Sequence, residues 1–374
     1  MTLRYTPFDD SYRPSYRQVS RVVQADRLLF TCGQLDTDGN GVVQHPGDLV
    51  AQTRRSMRLL HEALEQAGGD ATSLFHLHVF YRADGRFDES SFVELVRSLL
   101  PDGCAPVMIF QRVDTFPKGV EVEVDGIASR DSVETQAVRH RQAHLVRCGN
   151  FLVGVLDCDQ DVAGAIDDFA AALADLGLSL DDVCKLRYLS GALGTMPDAV
   201  EFELAEAVAG VPAVYTRLPL HASPGRRLVE VYGAIAPDGE SSQAGDTAVS
   251  QTLWGLDYTD WVSRGSWLFV GGQLPTNSNG QMNRGYDLTQ QIHQVMRNTS
   301  DRLAPSGVNF SDVVKVSAYY QGAQSFDSWV RSVQIRCDYY PTPGPASTGV
   351  EVPHTGHEQA GVVLDCLARL PNLT

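Results

Sequence analysis

Phe30-Thr-Cys-Gly-Gln-Leu35 returns as Phe269-Val-Gly-Gly-Gln-Leu274, and this recurrence decides how the rest of the chain is read. Outward from it, the two stretches stay in step at a constant offset of 239 residues. Thr37, Asn40 and Gly41 meet Thr276, Asn279 and Gly280; Asp48-Leu49 and Gln52 meet Asp287-Leu288 and Gln291. Further on, Met57-Arg58, Leu64, Gly68, Phe87-Asp88 and Pro106 meet Met296-Arg297, Leu303, Gly307, Phe326-Asp327 and Pro345. Self-similarity at a fixed period is the mark of a repeat architecture. The middle third is a worn third copy. Asp182-Val-Cys-Lys185 echoes Asp312-Val-Val-Lys315, Leu173 and Gly177 echo Leu64 and Gly68, and Pro212-Ala213 echoes Pro345-Ala346. Phe151 aligns with Phe30 at offset 121, against 109 for Leu173 and Gly177, so this copy lacks about twelve residues of its first loop.

Each copy predicts the same elements. A strand pair opens it (Arg27–Leu35, Ser266–Leu274), with Asn-Gly turn signals at Asn40-Gly41 and Asn279-Gly280. Asp48 and Asp287 are N-cap residues for the helix that follows. In the middle copy Ile166, Phe169, Leu173 and Leu176 step by three and four along one face, and Gly177 stands where a left-handed residue ends the helix. A strand follows (Leu74–Tyr81, Val183–Leu189, Val313–Tyr320), then a second helix from near Phe87, Pro197 or Phe326. Last comes a β-hairpin: Val107–Asp114 with Val120–Ile127, and its counterparts in the other copies.

The expected fold class is therefore α/β (α+β), with repeats over 1–130, 131–240 and 241–374. A four-stranded sheet with helices on one face leaves the other face apolar and uncovered. Three such units can close that face around a pseudo-three-fold axis, as a central sheet barrel with outer helices. The chain would then be a monomeric pseudo-trimer, with a dimer of these as the alternative, and small-molecule clefts would lie between the copies.

Composition narrows the partners. The chain carries 30 basic and 46 acidic residues, a net charge of −16, which opposes phosphate backbones and anionic membranes. No apolar run is long enough to span a bilayer, and Met1-Thr-Leu-Arg-Tyr-Thr-Pro7 lacks the apolar core of a secretion signal. Seven cysteines without a Cys-x-x-Cys pair read as reduced thiols of a cytoplasmic protein. His354-Thr-Gly-His357-Glu358 lacks a helical metal-ligand spacing, so neither a metal site nor a cofactor is expected.

The string Phe-x-x-Gly-Gln-Leu, Asn-Gly, Asp-Leu-x-x-Gln, Asp-Val-x-Lys and Pro-Ala before an acidic strand resembles the RidA/YjgF family, the reactive-intermediate (enamine/imine) deaminases. The resemblance implies a chorismate-mutase-like unit that forms trimers, with active sites between neighbouring units. It implies a substrate-carboxylate arginine just after Pro-Ala, a water-positioning glutamate on the returning strand, a serine before Gly-Gln and a tyrosine on the first strand. Carried over, the arginine position holds Met108, Val214 and Ser347. The glutamate is kept as Glu123 and falls at Val231 and Val363 in the other copies. The serine position is Cys32 or Gly271, with Val153 or Val155 in the middle copy, and the tyrosine position is Val19 or Tyr258. No copy holds the full set.

Glu121, Glu123 and Asp125 alternate onto one strand face, which reads either as a solvated acidic face or, at Glu123, as a cleft carboxylate with a raised pKa. Arg112 shares strand parity with Met108 but lies four residues on, roughly 13 Å away. It and Arg217 read as ligand contacts or as partners of the acidic strand. Cys32 reads as a core thiol or a nucleophile, and His76 and His78 as hydrogen-bonded core or cleft lining. Tyr258 is the stronger binding candidate, because a phenol donates and accepts.

The functional expectation is a divergent enzyme of specialised metabolism that hydrolyses, tautomerises or cyclises an imine- or enamine-type small molecule. Glu123 would be catalytic, with Tyr258, Cys32, Met108, Ser347 and Arg112 binding substrate. One alternative is a non-catalytic metabolite- or partner-binding protein. The other is a ring-opening amidohydrolase similar to cyanuric acid hydrolase, for which the lysines at Lys185 and Lys315, with His76 at the same position of copy one, cannot supply a three-fold site.

Overall fold

A computed structural model describes residues 3–371 apart from 13–15, 83–87, 114, 131–134, 160, 192–196, 220–225, 238–241, 284 and 323–324. Phe87, Asp114 and parts of both joins between copies lie outside the described residues.

The first third runs β1 (Arg4–Pro7), β2 (Ser20–Ala25), β3 (Leu28–Thr31), β4 (Gln34–Leu35), α1 (Leu49–Gln66), β5 (Leu74–Tyr81), α2 (Glu89–Ser98), β6 (Val107–Arg112) and β7 (Val122–Ser129). The middle third runs β8 (Thr135–Arg139), β9 (Ala143–Cys148), β10 (Phe151–Asp157), α3 (Val162–Asp175), β11 (Val183–Ser190), α4 (Ala199–Ala207), β12 (Val214–Pro219) and β13 (Arg227–Ala234). The last third runs β14 (Gln243–Ala244), α5 (Ala248–Trp254), β15 (Trp261–Arg264), β16 (Trp267–Gln273), α6 (Leu288–Leu303), β17 (Val313–Tyr320), α7 (Phe326–Cys337), β18 (Ala346–Glu351) and β19 (Val362–Arg369). The core order, helix–strand–helix–strand–strand, occurs three times.

Local signals in the sequence account for the helices. The Asp48 carboxylate accepts from the Ala51 amide at 3.0 Å, and Asp287 with Gln290 forms a reciprocal capping pair. Leu49, Met57, Leu60 and Leu64 line one buried face of α1, packed on Leu77, Val79 and Val124 of the sheet. Gly177, just past α3, has φ +69°, the left-handed turn its position predicts.

The expected terminal hairpin is not formed. β6 and β7 do not pair with each other; both pair with β5, β6 parallel and β7 antiparallel. The middle third does the same with β12 and β13 on either side of β11. The helix before β6 supplies the long crossover that a parallel neighbour needs, and β7 takes the free edge of β5.

Register corrects three alignments. His76, Lys185 and Lys315 pair with Val107, Val214 and Ala346, so Met108, Tyr215 and Ser347 are equivalent, and Val214 lies one residue short of that position. Phe80 pairs with Glu123 where Leu189 pairs with Leu228, so Leu228, and not Val231, stands in the glutamate's place. Phe151 takes the position of Leu28, since Leu28 faces Ser129 and Phe151 faces Ala234.

Two compact units divide the chain: residues 1–133 with 313–353, and residues 134–312 with 354–374. In the first, the strand order is β17-β18-β2-β3-β7-β5-β6, with β1 against β2 and β4 against β7. β18 meets β2 in parallel at Ala346 and Ser20, and the Ser20 amide donates to the Pro345 carbonyl at 3.2 Å. In the second unit, β12-β11-β13-β10-β9-β8 form one sheet and β14-β15-β16-β19 run together. A parallel bridge joins Val214 to Thr259, and the Thr259 amide donates to Ala213 at 3.0 Å. Thr259 is the repeat counterpart of Ser20, so one kind of junction is built twice, between the last copy and the first and between the middle copy and the last.

An ion pair crosses each junction, fully buried in the second unit and largely so in the first, where Lys315 keeps 14% of its side chain exposed. In the first unit Lys315 Nζ lies 3.0 Å from Asp125 Oδ2 and donates to Thr348 Oγ1 (2.7 Å) and to the Thr31 carbonyl (2.6 Å), while Thr348 donates to Asp125 at 2.6 Å. In the second, Lys185 lies 2.6 Å from Asp365, Thr216 donates to Asp365, and Arg187 adds a two-point pair. Burial raises the Asp125 pKa, yet Lys315, His78 and Thr348 outweigh it and hold the carboxyl below its ordinary value. Removing one partner of a buried pair strands the other charge at about 3–5 kcal/mol. Lys315→Met should therefore destabilise by that order in urea unfolding. The exposed Lys118→Met should stay within about 0.5 kcal/mol of the parent, and adding Asp125→Leu to Lys315→Met should recover part of the loss.

Candidate active site

Pairing β18 with β2 brings α7 and β18 of the last copy against β4, β7 and the N-terminal segment of the first. Between them lies a cleft of about 570 Å³. Its polar lining comes from Glu123 on β7, Ser347 on β18, Arg336 on α7 and Cys32 and Gln34 beside β4; Phe8, Tyr12, Tyr16 and Trp329 form an aromatic wall.

Glu123 lies opposite Leu35 on β4 and is 2% exposed. Its carboxylate sits against the backbone of Gly33, where a Cβ would overlap Oε1, so the Gly-Gln-Leu glycine makes room for the acid. Burial, reinforced by Asp125, pushes the Glu123 carboxyl up to about 8, against the pull of Lys315 and Arg336. At neutral pH it carries a proton. Its strand neighbours are not solvated either. Glu121 is held by a two-point pair to Arg82 (2.5 and 2.7 Å), and Asp125 belongs to the Lys315 network. The acidic face is thus buried, with Glu123 alone of the three lining the cleft.

Arg336 is 1% exposed. Its Nη1 donates to Ser347 Oγ at 2.7 Å and its Nε to the Ser332 carbonyl at 3.3 Å. Arg97, its repeat counterpart on α2, is exposed and pairs with Glu94. Cys32 Sγ accepts from Gln34 Nε2 at 3.0 Å, and burial pushes its thiol up to about 12 despite Lys315 and Arg21. That direction favours the core-thiol reading, since the thiolate is the nucleophilic form. The aromatic wall is continuous: Phe8 and Tyr12 centroids lie 4.8 Å apart, Tyr12 and Tyr16 6.0 Å, Tyr16 and Trp329 5.2 Å.

Of the residues singled out in the sequence, Glu123, Cys32 and Ser347 come together here. Met108 instead packs against the apolar layer under α1 and α2, and Arg112 stands at the far end of β6 beside Tyr81. Arg217 pairs with Glu201 on α4, not with the acidic strand, and lies over the Trp254 ring. His76 and His78 are buried, with His78 within 3.2 Å of Gln111 and stacked on Phe80.

Tyr258 lines a second cleft of about 410 Å³, the equivalent place in the other unit. There Tyr215 occupies the position of Ser347 and stacks flat on Tyr258, centroids 4.4 Å apart. Val363 stands at the glutamate's position. Asp260 faces this cleft, its carboxyl pushed up to about 6 by burial against the pull of Arg302. The two clefts share a backbone and differ in chemistry.

Sequence reasoning missed Arg336 and the aromatic wall. The available signal was an arginine on the Trp329–Val333–Arg336 stripe of α7, a charge at an apolar position.

Comparison with known proteins agrees with this architecture. The family model described as endoribonuclease L-PSP matches residues 11–130 and 255–369. A RutC family protein of Pyrococcus horikoshii is 29% identical over 96 residues, 25% of this chain and 73% of the relative. A 2-iminobutanoate/2-iminopropanoate deaminase of Mus musculus is 28% identical over 109 residues, 29% of this chain and 78% of the relative. Among solved structures, a chorismatase superposes over 79% of this chain and 93% of its own, with TM-score 0.55 at 16% identity, a likeness of fold. The chain belongs to the endoribonuclease L-PSP family, that of the RidA/YjgF proteins, and carries tandem divergent copies of its unit.

Proposed function

We propose that this chain is a small-molecule hydrolase acting on an electron-rich double bond of the enamine type, through the cleft that holds Glu123. The observation that carries the reading is a carboxyl that is buried, faces a cleft and is protonated at neutral pH. Enamine hydrolysis needs a proton at carbon. The resulting iminium then takes up water, and the nitrogen leaves as ammonia while the carbonyl compound remains. A carboxyl with pKa near the working pH is suited to give that proton and to take one back from the attacking water. The deaminase relatives support this class of substrate.

The same chemistry covers an enol ether, whose carbon is protonated in the same way. That second reading is favoured by the aromatic wall of Phe8, Tyr12, Tyr16 and Trp329, which suits a ring better than a short aliphatic chain. The amidohydrolase reading loses ground, because Lys185 and Lys315 are engaged with Asp365 and Asp125.

In this proposal the repeats 1–130, 131–240 and 241–374 close around a pseudo-three-fold axis, as one chain acting alone in the cytoplasm. Light scattering giving the mass of a single chain supports it, and an obligate homotrimer overturns it.

Glu123→Gln should lower kcat by about 10²–10⁴ on an enamine substrate. Turnover equal to the parent's removes Glu123 from the chemistry, and no turnover by the parent favours the non-catalytic binding protein. Because the acid form is the active one, the rate should fall as pH rises through about 8, and that limb should vanish in Glu123→Gln.

Stability should carry the same signature. The native carboxyl holds its proton to about 8, whereas the unfolded one releases it near 4.5. Between these values the native state binds more protons, so its stability falls with rising pH. Each unit is worth up to about 1.4 kcal/mol from this group. Urea unfolding from pH 5 to 8 should show a shallower slope for Glu123→Gln.

A further inference from the structure

Each of the two clefts is lined by an arm that opens its own copy. In the first copy β1 pairs antiparallel with β2, the register shifts between Thr6 and Pro7, and the chain leaves the sheet there; Phe8 and Tyr12 then line the first cleft. In the last copy β14 pairs with β15 in the same way, and the segment between them forms α5, whose Val249, Leu253 and Trp254 line the second cleft. The middle copy has no such arm. There β8 turns directly into β9, the His140 amide donating to the Ala143 carbonyl at 2.8 Å. It lacks the first loop as well, since β10 ends at Asp157 and α3 begins at Val162. In the other copies residues 36–48 separate β4 from α1, and residues 274–287 separate β16 from α6. Arm and loop are thus kept together or lost together.

The two parts meet at the tip of the loop. That tip is tied to itself: Asp38 accepts from the Asn40 and Val42 amides at 2.9 Å, and Asn277 from the Asn279 and Gln281 amides at 2.9 and 3.1 Å. The first arm is tied to itself too. The Asp9 carboxylate accepts from the Ser11 amide at 2.9 Å, the Asp9 carbonyl from the Tyr12 amide at 3.1 Å, and Asp10 pairs with Arg17 at 2.6 Å. Among the described residues no hydrogen bond joins residues 8–12 to the loop, so the arm is seated by fit. A Cβ at Gly39 would overlap the Ser11 carbonyl oxygen and lie 3.1 Å from Tyr12 Cα; one at Gly280 would lie 3.3–3.4 Å from Thr252 and Val249 of α5. Gly39 is not among the glycines of positive φ, so its missing side chain answers to the arm and not to the backbone. Two parts that are each internally bonded and touch only by packing can separate without stranding a buried polar group.

We propose that residues 8–12 are a gate: the first cleft is entered by lifting Phe8 and Tyr12 off the Gly39 turn, about the register shift at Thr6 and Pro7. The same construction stands over the second cleft. The middle copy, without the loop that seats an arm, has dispensed with both.

Cys32 reports on the gate, because it lines the first cleft and is 2% exposed with the arm seated. Its labelling by N-ethylmaleimide at fixed pH is followed in the full chain by peptide mass spectrometry, with Cys337 of the same unit and Cys366 of the other as internal controls. Gly39→Val drives a side chain into the seat and leaves the cleft lining intact. It should speed Cys32 labelling by at least about tenfold, as expected for a favoured local opening, with Cys337 and Cys366 at the parent's rates. Asp9→Ala changes an exposed residue outside the cleft and loosens the arm alone, so it should act in the same direction by about two- to threefold. A Cys32 rate equal to the parent's in Gly39→Val overturns the gate. Should that variant unfold, seen as all three thiols speeding together, Asp9→Ala decides by the same criterion. Labelling reads access and not turnover, so the result stands apart from the reaction proposed for the cleft.

Discussion

The buried lysine–aspartate pair at each junction between copies is the constraint on which the sites depend. Lys315 with Asp125 and Thr348, and Lys185 with Asp365 and Thr216, are the same three residue types at the same three register positions. A lysine and an aspartate taken out of water are tolerable only when geometry satisfies both, so the pair admits one alignment of the neighbouring strands. That alignment decides which residues of β18 face α7. Slipped by one, β18 would turn Thr348 toward Arg336 and bury Ser347 against the lysine. Two of the chain's three lysines sit at these junctions, which accounts for their presence in a chain whose other basic residues are almost all arginine.

Within the first cleft, opposite electrostatic requirements are met on opposite walls. Glu123 needs a dry surrounding to keep its proton, and Gly33 supplies it by letting the carboxyl rest against the main chain. Arg336, buried on α7, is held by the Ser332 carbonyl and Ser347 Oγ and not by a carboxylate. One stands on the returning strand β7 and the other on α7, and the guanidinium pulls on the carboxyl without forming an ion pair with it. If Glu123 were ionised, it would draw on the positive field of Lys315 and Arg336. The neutral acid and the unpaired guanidinium are two consequences of one arrangement.

How far the sequence could be read follows the range of each interaction. The repeat, the capped helices and the left-handed Gly177 are written in patterns a few residues long, and these are visible without a structure. Strand order is not. Alternation shows which face a residue takes but not which strand lies beside it, so β6 and β7 looked like a hairpin although β5 separates them. Register is finer still. Aligning Val214 with Ser347 is only one residue in error, yet it hides Tyr215, the residue that faces the second cleft. Glu123, Cys32 and Ser347 were legible as family positions. Arg336 was not, because it reaches the arginine's neighbourhood from a helix, and no motif spacing encodes a contact between an α7 residue and a cleft that the first copy completes.

The second cleft shows what fusion permits. In a trimer of identical chains a substitution appears in all three sites at once, so none can lose its acid unless all do. In a fused chain Val363 can stand where Glu123 stands, and Tyr215 can replace Ser347 and stack on Tyr258, with no effect on the first cleft. Even the shared Gly-Gln-Leu motif then answers to different neighbours. A Cβ at Gly33 would meet the Glu123 carboxylate, whereas a Cβ at Gly272 would press within 3.0–3.2 Å of Thr216. The glycine is kept in one copy for an acid and in the other for the close approach of a neighbouring strand. Identity of motif between copies therefore measures identity of backbone, and the chemistry of each cleft has to be read from the side chains that the neighbouring copy brings to it.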